Sequence, residues 1–283
     1  MTPERRRRAV YALTERFGVS ERRACAVVDQ PRSTQRCRPR PPRTDEAKLR
    51  RRLRQIAKTH PRWGWKMAHE ILRREGWTIN KKRTQRLWRH EGLRRPQRCT
   101  KRRRVRPDSA VRHRAEYPNH VWAVDFQFDE TSDYRRLKML NIVDEFTREA
   151  LAMEVARSIT ADRLIDVIER LVVVHGAPEH LRMDNGPELL SWALRDWCRF
   201  TGTRTIYIEP GSPWENPFVE SFNGRARDEL LNIEEFATLT EARVIVEAWR
   251  MEYNTYRPHS SLGGLTPVEF KRRWTEQHLT ACS

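Results

Sequence analysis

Residues 119–128 read Asn-His-Val-Trp-Ala-Val-Asp-Phe-Gln-Phe. Trp122, Val124, Phe126 and Phe128 alternate with Ala123, Asp125 and Gln127, the period of a strand with one apolar face. Asp125 lies on the second face, so this strand carries a carboxylate inside an otherwise apolar run. Two more acidic residues extend the pattern. Asp184 sits in LRMDNGPE (181–188), where a short apolar strand runs into a turn. Strand ends of that kind are where ligand sites gather in open α/β sheets. Glu220 sits in NPFVESFNGRARDELL (216–231), which opens like a helix, with Asn216 as N-cap and Pro217 at the first helical position. On that helix Asn216, Glu220, Asn223 and Arg227 share one face.

Each acidic residue has an ordinary reading on its own: a structural aspartate, a turn tripeptide, a solvated helix face. As an ordered set they suit another chemistry. Hard divalent cations take oxygen ligands. Two of them about 4 Å apart stabilise the attacking and leaving oxygens of an in-line displacement at phosphorus. A third carboxylate lets one protein hold both.

The surrounding pattern predicts the fold. Strands are expected near 119–128, 136–144 and 149–156. A helix follows, capped by Thr160, striped with Leu164, Ile165, Ile168, Leu171 and Val172, and stopped by Gly176 and Pro178. A strand near 179–183 leads to Asp184. A helix over about 188–201 ends at Gly202, and a strand at 203–208 precedes the Glu220 helix. Strands first, then alternating helix and strand, indicate a mixed sheet with helices on its faces. Another helix is expected over 240–256. Beyond it, Arg257 and His259 either contact DNA or close the fold, and the sequence leaves both open.

The N-terminal part differs in kind. Residues 1–114 carry 37 Lys and Arg against 10 Asp and Glu, and residues 115–283 carry 19 against 28. The net +18 is therefore a basic half joined to a mildly acidic one. A basic half supplies sequence-independent attraction to phosphates, and an acidic half can hold cations. Two short helices are expected over 1–30, around Gly18 and an N-cap at Ser20. RPRPPRTD at 38–45 is a Pro- and Arg-rich linker. Residues 45–93 read as three helices, the last starting after Asn80. The second and third, joined by residues 76–80, suit a helix-turn-helix whose recognition helix exposes Lys81, Lys82, Arg83, Gln85, Arg86 and Arg89. KRRRVRP at 101–107, with Arg102, Arg103 and Arg104, suits a phosphate backbone. Trp63, Trp65, Trp77 and Trp88 are expected to pack these helices rather than stack on bases.

Several classes are disfavoured. The five cysteines, at 25, 37, 99, 198 and 282, form no Cys-x-x-Cys pair, which suits a reducing cytosol. The nine histidines show no zinc-finger spacing. No segment has the apolar length of a signal peptide or membrane span.

VWAVDFQF, LRMDNGPE, GSPWENPFVESFNGRARDELL and YNTYRPHSSLGGLTPVEF, with RWGWKMAHEILRREGW and KKRTQRLWRHEGL upstream, together resemble the second-reading-frame catalytic subunit of bacterial insertion-sequence transposases. The resemblance implies a ribonuclease-H-like integrase catalytic core, with a mixed five-stranded sheet and flanking helices, preceded by an all-α helix-turn-helix DNA-binding region. The organisation expected from it is a helical segment at 1–37, a linker at 38–44, a helix-turn-helix domain at 45–95, a basic linker at 96–114, the catalytic core at 115–235 and a helical extension at 236–283.

By the same resemblance Asp125, Asp184 and Glu220 fall on the family's metal-binding triad, holding two Mg²⁺ or Mn²⁺ ions. Asp125 and Asp184 would share one ion, and Asp125 and Glu220 the other. Asn216, Asn223 and Arg227 join the DNA-contacting set, Arg227 falling on a basic position placed near DNA. The implied activity is nicking of double-stranded DNA at element ends and transfer of the freed 3′-hydroxyl to target DNA. The implied partners are a small upstream helix-turn-helix protein, often fused by frameshifting, and further copies of the chain on DNA, in the bacterial cytoplasm and nucleoid. A nuclease of the same fold and a non-catalytic, transposase-derived DNA-binding protein are the alternatives.

Overall fold

The structure, a computed structural model, describes residues 3–37, 45–94, 114–184, 186, 189, 191–207 and 216–279. Arg102, Arg103, Arg104 and the 38–44 linker lie outside the described residues. The chain divides into two compact units, residues 1–49 and residues 50–283.

The first unit holds α1 (Pro3–Phe17), α2 (Glu21–Val27) and α3 (Arg32–Arg36). Ser20 caps α2 by accepting from the Arg23 backbone N–H, and Gly18 takes the left-handed φ of +61° that the turn requires. Val10, Ala24 and Cys25 form a small core. The five-residue α3 was not expected. Arg7 fixes it, donating from Nη2 to the carbonyls of Thr34 (2.7 Å) and Cys37 (2.8 Å). Helix α4 spans Glu46–Thr59.

In the second unit α5 (Trp65–Arg74) and α6 (Lys81–His90) are the expected helix pair. Gly76, at φ +83°, turns the chain between them, and Asn80 caps α6 by accepting from Lys82 N–H at 2.8 Å. Leu72, Leu87 and Trp88 are buried between the helices. His69 Nδ1 meets Thr84 Oγ1 at 3.0 Å across their interface. Trp63 is buried with Trp88, while Trp65 and Trp77 are half-buried. Arg52 of α4 holds Glu75 (Nε to Oε1 2.9 Å), and Arg50 holds Glu91 (2.6 Å).

The sheet has the order β3-β2-β1-β4-β5, formed by β1 (Val121–Glu130), β2 (Arg136–Asp144), β3 (Ala150–Ala156), β4 (His180–Met183) and β5 (Arg204–Tyr207). The first three strands are antiparallel neighbours, and β4 and β5 run parallel to β1. On one face lie α7 (Ala161–His175), capped by Thr160, and α8 (Trp192–Thr201). Trp122, Val124, Leu140 and Ile142 meet Leu164, Ile168 and Leu194 there. Helix α8 starts at Trp192, later than the expected 188, because Ser191 is its N-cap and accepts from Leu194 N–H.

On the other face lie α9 (Pro217–Ala226), continued by a π-helical turn over Arg227–Leu231, and α10 (Leu239–Thr255). Ala123, Met139 and Val143 pack there against Val219, Phe222, Leu230 and Val246. The alternation of β1 is therefore a burial pattern on both faces, with Asp125 between buried Ala123 and buried Gln127 on one of them. Helix α10 runs beside β3 and bonds to its backbone. Arg243 Nε donates to Val155 O (2.8 Å) and Arg250 Nη1 to Ala150 O (2.8 Å). Asn254 donates to Ala150 O and accepts from Ala150 N–H, both at 2.9 Å.

The C-terminal segment ends in α11 (Pro267–Leu279) and meets the helix pair. Arg74 donates to Tyr256 O (3.1 Å), Gly264 O (2.9 Å) and Glu269 Oε2 (2.7 Å). His60 stacks on Trp63 at 3.7 Å, and Trp63 Nε1 donates to Glu229 Oε2 at 3.2 Å. Residues 50–94 thus share one compact unit with the sheet. No helix among the described residues is long and apolar enough to cross a membrane.

Candidate active site

The register of β1 against β4 pairs Val121 with His180, Trp122 with Leu181 and Ala123 with Arg182. Two residues further along both strands, the same register sets Asp125 level with Asp184, which follows the end of β4. Arg182 is fixed by a buried ion pair, donating from Nη1 to Glu145 Oε1 (2.6 Å) and Oε2 (2.8 Å). Asp184 itself is exposed, and its Oδ1 accepts from Gly186 N–H at 3.1 Å.

Helix α9 supplies the third carboxylate. Its Val219, Phe222 and Ala226 are buried against the sheet, which leaves Glu220 exposed at the helix start. Asp184 and Glu220 lie near enough to Asp125 for their charges to act on its carboxyl. Burial raises the Asp125 carboxyl to about 6, and the negative charges of Asp184 and Glu220 push the same way, against hydrogen bonds from Phe126 N–H and Asn223. Three hard oxygen donors that repel one another are a donor set suited to a divalent cation.

The residues expected to contact DNA differ in their surroundings. Asn223, read as a DNA contact, turns to Asp125 and donates from Nδ2 to Oδ2 at 2.7 Å. Asn216 is 5% exposed, with an Oδ1 that has no hydrogen-bond partner among the described residues. It stands at the N-cap position of α9 without a side-chain capping bond, because its φ and ψ of −116° and 51° leave the extended region that capping needs. Arg227 lies at the far end of α9, donating from Nη2 to Phe128 O at 2.5 Å and lying 3.7 Å from Asp129. On α6, Lys81, Lys82, Arg86 and Arg89 are exposed and Arg83 is half-buried, with Thr84, Leu87 and Trp88 on the inner face. Arg257 and His259, left open by the sequence, are buried at 8% and 3% exposure.

Sequence reasoning missed what lies beneath Asp125. Asn141 of β2 is its cross-strand partner. Asn141 Nδ2 donates to Asn223 Oδ1 (2.7 Å) and to Gln127 Oε1 (3.1 Å), and Gln127 Nε2 donates to Asn223 O (3.2 Å). The one available signal was a lone Asn inside the apolar run Met-Leu-Asn-Ile-Val.

Comparison with known proteins agrees with this architecture. Residues 115–213 and 201–267 match models described as integrase core domain, and residues 44–104 match an HTH-like domain. The chain is 36% identical to the 39.2 kDa protein of insertion element IS476 of Xanthomonas euvesicatoria, over 98% of this chain and 80% of the relative. It is 39% identical to the 31.7 kDa protein of insertion element IS407 of Burkholderia multivorans, over 92% and 93%. A putative transposase, InsK of IS150 in Escherichia coli, is 24% identical over 75% of this chain and 78% of the relative. Among solved structures, the HTLV-2 integrase catalytic core in complex with magnesium aligns at a TM-score of 0.44 and 19% identity, over 55% of this chain and 97% of that one. With a helix-turn-helix-like region ahead of an integrase core, and relatives matching over nearly its whole length, the chain belongs to the transposase family of bacterial insertion sequences.

Proposed function

We propose that the chain nicks DNA at the ends of its insertion sequence and joins the freed 3′-hydroxyl to target DNA, using Asp125, Asp184 and Glu220 to hold two Mg²⁺ or Mn²⁺ ions. The observation that supports this reading is the β1–β4 register that sets Asp125 level with Asp184, with the charges of Asp184 and Glu220 both acting on the Asp125 carboxyl. Divalent cations bound there supply activation of a water or 3′-hydroxyl and stabilisation of the leaving oxygen. The residues do the rest. Asp125 offers a carboxylate whose direction is set by Phe126 N–H at Oδ1 (2.8 Å) and Asn223 Nδ2 at Oδ2 (2.7 Å). Asp184 at the strand end and Glu220 at the start of α9 are both exposed, and so accessible to DNA. No covalent protein intermediate is needed.

In this reading residues 45–95 bind DNA, residues 115–235 carry the chemistry and residues 236–283 extend the core. Lys81, Lys82, Arg83, Arg86 and Arg89 form the basic face of α6, Arg102, Arg103 and Arg104 add phosphate contacts, and Arg227 supplies charge beside β1. Asn223 serves Asp125 rather than DNA. Double-stranded element ends and target DNA are the substrates. A small upstream helix-turn-helix protein or fusion partner, and further copies of the chain on DNA, complete the assembly.

The test is a strand-transfer assay with labelled element-end DNA, a plasmid target and Mg²⁺ or Mn²⁺, comparing wild type with Glu220→Gln. Joined product from wild type alone is expected. Cleavage without joining points to a nuclease. Silence with and without the upstream partner, together with metal-independent DNA binding, points to a binding protein and defeats the proposal.

A further inference from the structure

The carboxamides under Asp125 form a chain whose polarity is set at both ends. At one end the acceptor is the backbone carbonyl of Asn223, which takes a bond from Gln127 Nε2 at 3.2 Å. A carbonyl only accepts, so Gln127 must turn its amide nitrogen there and its Oε1 toward Asn141. Asn141 then meets two acceptors, Gln127 Oε1 at 3.1 Å and Asn223 Oδ1 at 2.7 Å, and can present only its nitrogen to them. With Oδ1 so engaged, Asn223 has only its nitrogen left for Asp125 Oδ2 at 2.7 Å. Flipping any one amide places oxygen against oxygen at a neighbour. The orientation of the last group in the chain is decided by the first.

Asn141 is fully buried at 0% exposure, and its own Oδ1 has no hydrogen-bond partner among the described residues. A polar side chain in the apolar centre of β2 with one satisfied end is a poor choice for packing alone. Its neighbours Leu140 and Ile142 fill the opposite face, and Met139 and Val143 its own. An aliphatic residue would meet the needs of the core.

We propose that Asn141 is a positioning residue for the metal-binding carboxylate, acting through Asn223 to keep Asp125 in the one orientation in which it would hold a cation. The inference rests on the proposed metal role of Asp125 and goes beyond it by assigning that site its supporting shell. Partners of that kind set the direction of a ligand, and their loss costs metal affinity rather than fold.

The experiment uses the full chain as wild type, Asn141→Leu and Gln127→Met, with Asp125→Asn as control. Mn²⁺ binding is followed by electron paramagnetic resonance or calorimetry, and thermal melting and DNA binding are measured in chelator. Both variants are expected to melt near the wild-type temperature, to bind DNA as wild type without metal, and to bind Mn²⁺ roughly ten- to a hundredfold more weakly. Strand transfer, where present, should recover at saturating Mn²⁺ in these variants and not in the control. Unchanged Mn²⁺ affinity in a folded Asn141→Leu overturns the inference. Loss of fold in both variants overturns it too, since the network would then serve architecture alone. Wild type with no Mn²⁺ binding that Asp125→Asn removes defeats the reading of the site itself, a distinct result.

Discussion

Arg257→Met tests whether the C-terminal Tyr-Arg-Pro-His segment is a DNA contact or a keystone. Arg257 donates from Nε to Glu229 Oε2 at 2.7 Å and from Nη2 to Glu229 Oε1. Both side chains are 9% exposed. Trp63 Nε1 also donates to Glu229, at 3.2 Å. Removing the guanidinium takes the opposite charge from a buried carboxylate, and breaking a buried pair in this way costs about 3–5 kcal/mol. For a unit of this size each kcal/mol moves the melting temperature by about 2–4 °C, so a fall of roughly 6–20 °C is expected. The double variant Arg257→Met, Glu229→Gln removes both charges and should recover most of the loss, because replacing a whole buried pair is close to neutral. Melting curves of the four proteins, with DNA binding at low temperature where all are folded, complete the assay. DNA affinity should be unchanged. A single variant that melts with wild type and binds DNA more weakly would refute the reasoning and return Arg257 to the DNA interface.

Burial, with the charges of Arg257 and Arg225 acting in the same direction, pushes His259 down to about 3. Its contribution to stability is then fully present above the unfolded value near 6.5 and is lost as pH falls toward 3. About 2–3 kcal/mol should go by pH 4.5, and His259→Gln should flatten that part of a urea-unfolding profile; parallel profiles would defeat the assignment. Lys82→Ala and Arg86→Ala should weaken DNA binding, lower the salt slope by about one each and leave melting unchanged. An unchanged slope would remove α6 from the interface. Asn254→Ala strips both bonds from Ala150 and should cost about 2–4 kcal/mol in chemical denaturation, against nearly nothing for an exposed asparagine.

Much of this was readable in advance because it follows local rules. The alternation of 121–128 fixed β1 and the side of Asp125. Thr160, Ser20 and Asn80 announced helix starts through their side-chain oxygens, and Gly176 and Gly202 announced ends. The meeting of Asp125 with Asp184 was suggested by strand order and became concrete only through the β1–β4 register. What stayed hidden depends on contacts between distant segments. Asn223 was read by its helix face as a surface residue, but the partner facing it is Asn141, 82 residues away. Arg257 looked as suited to phosphate as to Glu229, since a guanidinium pairs with either. The π-helical turn at Arg227–Leu231 has no composition of its own to give it away.

The bonds from Arg243, Arg250 and Asn254 to β3 have a consequence for solution behaviour. β3 is the outermost strand on its side, and an outermost strand offers a row of backbone groups to any strand that arrives. Helix α10 fills that vacancy with side chains, so the sheet ends in a seam rather than a template. The side chains of α10 therefore leave fewer backbone groups of β3 open to another strand. A fragment trimmed at residue 235 would keep the whole sheet and expose the outer edge of β3, and light scattering should show it aggregating where the full chain does not.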